Sequence, residues 1–292
     1  MSQPVAAVDI GTNSMRMLIV GGGSEIGRWE RVTGLGRGVD RTGRLSGEAI
    51  EMTLPVLAEY GRLMERHGVS LRRAIATSAS RDAANREEFF DLAEAALGVR
   101  PTLISGEEEA RLAYNGATGW YRGPGPVLVS DIGGGSTEFV TADRGVSIDI
   151  GSVRLTERAL PDRPATAAQL ETARAMLADL FAGIDVGNVG TLIGVAGTWT
   201  ELPSLSRRLH FSTDTHGMTV AGGEVTEVVV MLAELSIDQT RELGTVDPAR
   251  APMILGGAMV AEAVMNVAGV DGAVVSAQDT LDGVVADLLA LP

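Results

Sequence analysis

Cysteine and lysine are both absent from this 292-residue sequence. The absence of cysteine excludes disulfides, thiolate metal sites and cysteine nucleophiles. The absence of lysine excludes a phosphate-binding loop of the Gly-x-x-x-x-Gly-Lys type, in which the lysine contacts the phosphates. All 24 basic residues are arginine, so any side-chain cation that binds an anion is a guanidinium, which favours bidentate contacts.

Long apolar runs are also missing. No stretch reaches the roughly 20 apolar residues that a membrane span requires, and the segment from Met1 to Val8 lacks the positive flank and apolar core of a signal peptide. We therefore expect a cytoplasmic protein without membrane partners. The formal net charge of −14 argues against broad nucleic-acid binding, which requires a basic surface.

Alternating helix and strand patterns run along the whole chain and predict an α/β fold. The length suggests two domains, since one domain usually takes roughly 100–200 residues. The turn-forming segment Gly123–Pro126 is the best candidate for their boundary. We expect an N-terminal domain over residues 1–122 and a C-terminal domain over 123–292, with the last predicted helix, residues 279–289, packing back on the first domain.

Local patterns predict individual elements. Ser46 is a candidate N-cap of a helix that Pro55 should kink or divide, and Ala74–Ser78 has the pattern of a buried strand. Further helices are predicted at residues 85–97, 165–181, 224–235, 252–266 and 279–289, and a further strand at 191–195.

Two similar segments, each a strand followed by a glycine-rich loop and a second strand, lie about 120 residues apart, which indicates a repeat at the scale of a domain. The first contains Asp9 and the loop Gly11–Ser14, and the second contains Asp131 and the loop Gly133–Ser136. Carboxylates suit magnesium, and successive backbone N–H groups of a tight turn bind anions. We expect the two loops to face one another across an interdomain cleft that holds phosphate and metal.

The segment Ile104–Arg111 carries three successive glutamates. Ser105 and Glu108 have the spacing of a capping box, and acidic residues are favoured at a helix N-terminus. Glu109 could instead form a pair of carboxylates with Glu138 that orients or deprotonates an attacking water.

Four motifs in order resemble the exopolyphosphatase and guanosine pentaphosphate phosphatase family. They are Asp-Ile-Gly-Thr-Asn-Ser at 9–14, Ile-Ser-Gly-Glu-Glu-Glu-Ala-Arg at 104–111, Asp-Ile-Gly-Gly-Gly-Ser-Thr-Glu at 131–138 and Gly-Val-Ala-Gly-Thr at 194–198. Segments 34–40, 76–81 and 256–258 also look like the family, so the resemblance covers nearly the whole chain. It implies an actin-like (ribonuclease H-like) α/β fold with two domains and an active site in the cleft.

The resemblance also implies hydrolysis of a terminal phosphoanhydride by direct attack of water. Glu109 looks like the catalytic carboxylate, Glu138 resembles its partner, and Asp131 with help from Asp9 matches the carboxylates that hold Mg²⁺. Arg81 is similar to an arginine that contacts phosphate. The residues implied in backbone binding of phosphate are Gly11, Thr12, Asn13, Ser14, Gly133, Gly134, Gly135 and Ser136.

The implied substrate is inorganic polyphosphate, and guanosine pentaphosphate is the alternative because both activities use the same motifs. Longer members of the family have an additional C-terminal region with a His-Asp motif, for which no residues remain before Pro292, and Asp279–Gly283 lacks an arginine that many relatives carry. We therefore expect short polyphosphate chains to be preferred. A homodimer is a further expectation from the resemblance.

Two other classes remain open, a non-catalytic sensor of a phosphate ligand and an ATP-dependent sugar or acid kinase. Retention of the four carboxylates argues against the sensor, because a pure binder needs no group that activates water. The absence of an insertion for a second substrate argues against the kinase.

Other residues have plain structural interpretations. Arg37, Arg41 and Arg44 could equally form a solvated loop or a path that binds substrate. The three histidines, His67, His210 and His216, are too scattered in the sequence to form a metal cluster. Residues 194–198 could be only a turn.

Overall fold

The computed structural model describes residues 3–291, which contain eleven strands. In chain order these are β1 Val5–Ile10, β2 Ser14–Gly21, β3 Ser24–Val32, β4 Leu71–Ala76, β5 Thr102–Leu103, β6 Val127–Ile132, β7 Thr137–Val140, β8 Gly145–Ile148, β9 Thr191–Val195, β10 Thr219–Ala221 and β11 Gly272–Val275.

Twelve helices accompany the strands in the same described range. They are α1 Val39–Thr42, α2 Gly47–Arg66, α3 Ser78–Asp82, α4 Arg86–Leu97, α5 Gly106–Thr118, α6 Ser152–Ala159, α7 Ala167–Phe181, α8 Ala196–Arg207, α9 Gly222–Glu234, α10 Ile237–Glu242, α11 Ile254–Ala268 and α12 Thr280–Leu289.

The chain divides into two compact units. Unit 1 comprises the chain up to Gly116 together with the segment from Thr280 onward, and unit 2 is Ala117–Asp279. The change from unit 1 to unit 2 therefore lies shortly before the Gly123–Pro126 segment that the sequence favoured, and α12 belongs to unit 1.

Unit 1 is built on a five-stranded sheet in the order β3-β2-β1-β4-β5. Strand β1 is antiparallel to β2 and parallel to β4. Every residue of β1 is buried, because α2 and α4 cover one face of the sheet and α12 covers the other. A strand that is covered on both faces reads as a continuous apolar run, which explains the sequence Val5-Ala6-Ala7-Val8.

Helix α12 closes the second face of the unit 1 sheet with Leu281, Val284 and Leu288. A Cβ atom on Gly283 would overlap the carbonyl group of Leu112 in α5, so glycine is required for the close approach of the two helices. At the edge, Asp282 accepts a 2.8 Å hydrogen bond from Arg28 of β3.

Unit 2 is built on a six-stranded sheet in the order β10-β11-β9-β6-β7-β8. Strand β6 is antiparallel to β7 and parallel to β9, as β1 is to β2 and β4 in unit 1. The core of unit 2 contains Trp199 of α8, Leu177 of α7 and Met259 of α11. Apart from the added edge strand β10, both sheets repeat one order and one set of strand directions, which confirms the predicted actin-like, ribonuclease H-like α/β fold.

Most of the predicted elements are present, with specific corrections. Ser46 caps α2 by accepting a 3.1 Å hydrogen bond from the Ala49 N–H, but α2 continues past Pro55 undivided. Pro55 is exposed, so water can satisfy the helix carbonyl that the missing N–H leaves. The strand predicted at Ala74–Ser78 corresponds to β4, which ends earlier, at Ala76, because α3 begins at Ser78. None of the helices between residues 3 and 291 is long and apolar enough to span a membrane.

Candidate active site

The first glycine-rich loop of the sequence forms a tight turn between β1 and β2. The Gly11 N–H donates a 3.1 Å hydrogen bond to the Ser14 carbonyl oxygen. A Cβ atom on Gly11 would lie 2.9 Å from that oxygen, a separation that real side chains do not adopt. The turn therefore depends on glycine at its first position.

Neighbouring segments fix this turn from outside. The Gly36 N–H donates to the Thr12 carbonyl oxygen at 2.7 Å and the Gly34 N–H donates to the Asn13 carbonyl oxygen at 2.9 Å. The Thr12 hydroxyl accepts a 3.2 Å hydrogen bond from the Ala79 N–H of α3. The carbonyl oxygens of Thr12 and Asn13 are thus bound by neighbouring protein segments, which fix the turn in place.

The Gly34–Arg44 segment consequently supports the turn through its backbone. The Arg37 side chain lies over Gly34, Arg41 is exposed, and Arg44 is 4.0 Å from the exposed Glu88 carboxylate. These contacts are those of a surface loop, which favours the solvated interpretation of the three arginines.

Asp9 lies at the end of β1, directly opposite Arg16 of β2 in the antiparallel register. Asp9 is buried, and both Nε and Nη2 of Arg16 donate to its Oδ2 atom, Nε at 3.1 Å. A guanidinium that binds a buried carboxylate through two N–H groups forms a strong charge-assisted contact. Arg16 is a residue of this site that the sequence analysis missed.

Glu109 lies in the first turn of α5 and is buried. Its Oε2 atom accepts a 2.7 Å hydrogen bond from Nη1 of Arg81, which also donates to the Ile104 carbonyl oxygen at 3.2 Å. Burial raises the pKa of Glu109 above its usual value; Arg81 opposes this rise, Asp9 adds to it and Arg16 opposes it. Unit 1 therefore brings the predicted residues Asp9, Arg81 and Glu109 into one electrostatic group.

The predicted capping box at the start of α5 forms only in part. The Ser105 hydroxyl accepts a 3.1 Å hydrogen bond from the Glu108 N–H. The Glu108 carboxylate, however, pairs with Arg111 at 2.9 Å and Arg73 at 3.4 Å. Hydrogen bonds from Arg111 lower the pKa of Glu108. The pKa values of the neighbouring residues Glu108 and Glu109 are therefore shifted in opposite directions.

The second glycine-rich loop repeats the turn in unit 2, where the Gly133 N–H donates to the Ser136 carbonyl oxygen at 3.0 Å. Helix α6 secures this loop, because the N–H groups of Ser152 and Val153 donate to the carbonyl oxygens of Gly133 and Gly134 at 3.0 and 2.9 Å. A Cβ atom on Gly151 would lie 2.5 Å from the Gly133 carbonyl oxygen. The sequence analysis missed α6, although Gly151 before it was a visible signal of close backbone approach.

The N–H groups on the other side of this turn are available to a ligand. Within the described part of the chain, the backbone N–H groups of Gly134, Gly135 and Ser136 donate to no protein acceptor. Successive N–H groups of this kind form an anion-binding concavity. The predicted backbone phosphate-binding residues of unit 2 therefore form a single, mostly buried turn in which three successive N–H groups have no protein acceptor.

Asp131 and Glu138 lie directly opposite one another on β6 and β7. Both are buried, with 4% and 1% of their surface exposed, and Glu138 Oε1 accepts a 2.7 Å hydrogen bond from the hydroxyl group of Ser147 on β8. Like charges directly opposite one another in a sheet repel. Carboxylate oxygens placed side by side in this way are of the kind that magnesium prefers.

The predicted magnesium ligands are buried carboxylates, Asp131 in unit 2 and Asp9 in unit 1. In residues 3–291 no group of three or more His, Asp or Glu side chains is arranged to hold a metal. Magnesium is usually bound through one or two carboxylates together with water and substrate phosphates, which the Asp131–Glu138 pair can satisfy. The Oδ2 atom of Asp9 already binds the Arg16 guanidinium.

The Gly-Val-Ala-Gly-Thr segment joins β9 to α8 without an intervening loop. Ala196 has a positive φ of 67°, a strained conformation for a residue with a side chain. The Arg250 guanidinium lies directly over Gly197 and is 3.4 Å from the Glu201 carboxylate. This turn is therefore packed against an arginine, a feature that the sequence did not indicate.

The histidines have separate local partners. His67 packs beside Trp29, His210 lies 2.7 Å from the Ser212 hydroxyl, and His216 accepts a 3.1 Å hydrogen bond from the Ala277 N–H. They occupy different parts of the structure, as the sequence suggested.

Known proteins are similar to this chain over nearly its whole length. The model of the Ppx/GppA phosphatase family matches residues 19–290. Exopolyphosphatase 2 of Mycobacterium tuberculosis is 38% identical over 312 residues, a match that covers 97% of this chain and 98% of that protein. A solved exopolyphosphatase-like protein is 36% identical with a TM-score of 0.91 and covers 98% of each chain. The Aquifex aeolicus family member is 30% identical with a TM-score of 0.81, covering 98% of this chain and 97% of its own. This chain belongs to the Ppx/GppA phosphatase family.

Proposed function

We propose that this protein is an exopolyphosphatase that releases terminal orthophosphate from short chains of inorganic polyphosphate through attack by water. Its family makes it a phosphoanhydride hydrolase. The observation that carries the proposal is Glu109, a buried carboxylate with a raised pKa that is held by Arg81. A pure phosphate sensor has no use for such a base.

Glu109 would act as the general base. A buried carboxylate with a raised pKa is a stronger base than an exposed one, and its fixed geometry directs it to one proton. The water oxygen forms a bond to the terminal phosphorus while the bridging P–O bond breaks. The proton of the water passes to an oxygen of Glu109, and the shortened chain leaves with the bonding electron pair.

Arg81 would have two roles. Its Nη1 atom holds the Glu109 carboxylate and the Ile104 carbonyl oxygen, which fixes both the arginine and the base. A guanidinium has further N–H donors in a rigid fork, so Arg81 can also contact a phosphate oxygen. Stabilisation of charge on the transferred phosphoryl group is a main source of rate in such reactions.

In unit 2, Asp131 and Glu138 would hold Mg²⁺. When bound, the ion neutralises charge on the phosphate oxygens and polarises the phosphoryl group. The N–H groups of Gly134, Gly135 and Ser136 would bind phosphate oxygens beside these carboxylates, and Ser147 would orient Glu138 through its 2.7 Å hydrogen bond.

The test is phosphate release in the presence of Mg²⁺ from short polyphosphate, long polyphosphate, guanosine pentaphosphate and ATP. Glu109→Gln should lower kcat by about 10²–10⁴-fold and leave substrate binding intact. Glu108→Gln is the matched control, because this neighbouring glutamate pairs with surface arginines and should retain nearly normal activity.

The substrate ranking completes this experiment. Faster release from short polyphosphate than from the other substrates would support the proposal. A preference for guanosine pentaphosphate would replace polyphosphate as the substrate. Near-normal turnover by Glu109→Gln would contradict the role of Glu109, and release from none of the substrates would contradict the proposed activity.

A further inference from the structure

The hydroxyl group of Thr12 joins the first glycine-rich turn to helix α3. Thr12 is 8% exposed, and its Oγ1 atom accepts a 3.2 Å hydrogen bond from the backbone N–H of Ala79, 67 residues further along the chain. The first N–H groups of a helix have no partners within the helix. In the part of the chain that the structure describes, Thr77, the N-cap residue of α3, makes no capping hydrogen bond with its side chain. Thr12 therefore supplies, from a distant segment, the cap that α3 lacks locally.

Close packing supports the same contact. A Cβ atom on Gly36 would lie 2.3 Å from Cγ2 of Thr12 and 2.9 Å from Cβ of Ala79, so Gly36 touches both residues. The Gly36 N–H also donates a 2.7 Å hydrogen bond to the Thr12 carbonyl oxygen. Hydrogen bonds and packing together thus fix Thr12 against α3.

Helix α3 carries Arg81, which contacts the proposed base. The Arg81 N–H donates to the Thr77 carbonyl oxygen at 3.0 Å, and the Arg81 guanidinium holds the Glu109 carboxylate at 2.7 Å. Helix α3 has only five residues, and short helices are marginal by themselves because their nucleation is costly. The place of Arg81 therefore depends on the contacts that fix α3, and the capped N–H of Ala79 lies two residues before Arg81.

We infer that Thr12 is a positioning residue: its hydroxyl group holds α3 so that Arg81 keeps Glu109 in place. The backbone of the same residue belongs to the turn that is predicted to bind phosphate, so one residue joins this turn to the pair formed by Arg81 and Glu109. The inference rests on the proposed function, in which Glu109 is the base. The alternative is a hydroxyl group that contacts phosphate directly, and the experiment separates the two roles.

The experiment measures kcat and KM for phosphate release from short polyphosphate in the presence of Mg²⁺. Thr12→Val keeps the shape of the side chain and removes the hydroxyl group. It should lower kcat about tenfold, an effect between the loss of one helix cap and a displacement of about 1 Å near reacting groups. KM should change by less than about twofold, because the lost interaction positions the base and does not bind substrate. Thr12→Ser retains the hydroxyl group and should restore kcat to nearly the wild-type value.

The matched control is Thr53→Val. Thr53 is fully buried in α2 of unit 1, and its hydroxyl donates a 2.8 Å hydrogen bond to the Ala49 carbonyl oxygen. The same substitution there removes a buried hydroxyl group that binds the backbone of its own helix, and kcat should remain unchanged. An equal loss of kcat in Thr53→Val would assign the effect of Thr12→Val to general destabilisation and overturn the inference.

A double variant tests whether Thr12 acts through Arg81. Substitutions that act through one shared contact are not additive, so adding Thr12→Val to Arg81→Gln should lower kcat by less than about twofold beyond Arg81→Gln alone. A further loss of about tenfold in the double variant would overturn the inference. A rise of KM with unchanged kcat in Thr12→Val would make the hydroxyl a phosphate ligand and also overturn it, as would failure of Thr12→Ser to restore kcat.

A second readout does not depend on turnover. Hydrogen exchange of the backbone N–H groups in residues 77–82 is followed by mass spectrometry in the absence of substrate. Exchange should be faster in Thr12→Val than in wild-type protein, Thr12→Ser and Thr53→Val, because the Ala79 N–H has lost its acceptor and α3 opens more readily. Equal exchange in Thr12→Val and wild-type protein would overturn the inference. If the wild-type protein releases no phosphate from polyphosphate, the proposed function fails, whereas the exchange comparison still decides whether Thr12 holds α3.

Discussion

The glycine-rich loops of the two units have the same backbone and different chemistry. In both, the N–H of the first glycine donates to the carbonyl oxygen of a serine, at 3.1 Å in unit 1 and 3.0 Å in unit 2. In both, an aspartate precedes the loop on a strand with antiparallel and parallel neighbours. The residue opposite that aspartate is Arg16 in one unit and Glu138 in the other, so the two units place opposite charges at the same position of the sheet.

The two loops are also secured by different means. In unit 1, the N–H groups of Gly34 and Gly36 bind the loop carbonyls, and in unit 2 the first turn of α6 does so. Either arrangement turns the carbonyl oxygens toward protein. The comparison shows that the carbonyl oxygens of such a turn can be bound by a loop in one unit and by a helix in the other.

The most severe test of this comparison is to give unit 2 the charges of unit 1. Glu138→Arg should lower kcat/KM on the order of a thousandfold or more, because it removes a carboxylate from the proposed metal site and introduces a cation there. Activity is measured across a magnesium titration. Ser147→Ala, which loses only the hydrogen bond to Glu138, is the milder comparison and should cost about fivefold. Substantial activity in Glu138→Arg that responds normally to magnesium would remove Glu138 from the metal site.

A smaller effect is expected from disturbing the support of one loop. Gly151→Ala places a Cβ atom 2.5 Å from the Gly133 carbonyl oxygen, which forces the unit 2 turn to move. A displacement of about 1 Å near reacting groups can cost on the order of 100-fold, so kcat/KM should fall by that order. Gly223→Ala is the control, because nothing lies near the added methyl group. Equal activity in both variants would show that the loop tolerates the shift.

The smallest expected effect concerns pH. Glu109 must be ionised to act as a base, and burial raises its pKa, so kcat should rise with pH through a range above that of an ordinary glutamate. Arg81 opposes the rise, so Arg81→Gln should move this limb to higher pH in addition to lowering kcat. The measurement is kcat against pH at saturating substrate, with Arg100→Gln on the surface as control. If kcat of Arg81→Gln rises over the same pH range as that of the wild-type protein, or over a lower one, the proposed contact between Arg81 and Glu109 in solution is contradicted.

The outcome for individual residues shows what local sequence can predict. Both glycine-rich turns and the capping serines Ser46 and Ser105 were predicted because each depends on contacts between residues close in sequence. Strands β1 and β9 were predicted from their apolar runs. Helix α6 was missed, since it has no side-chain cap and is secured by the carbonyls of Gly133 and Gly134. Helix α2 continues through Pro55 because Pro55 is exposed. A local sequence pattern does not reveal whether a residue is exposed.

The residues of the candidate site also differ in whether the sequence could identify them. Glu109, Glu138, Arg81 and the two aspartates could be named because their motifs resemble a known family. Arg16 was overlooked, although it follows Asp9 at the same interval as Glu138 follows Asp131. Its meaning emerges only from the register that places each of these residues opposite an aspartate.

The sequence by itself determined the two glycine-rich turns, the α/β alternation and the exclusion of thiol and lysine chemistry, because these follow from residue type and short-range geometry. The tertiary structure decided that Arg81 binds Glu109, that Arg16 binds Asp9 and that Asp131 lies opposite Glu138. These contacts join separate elements, and their charges acquire a fixed role only where burial brings them together and water no longer screens them.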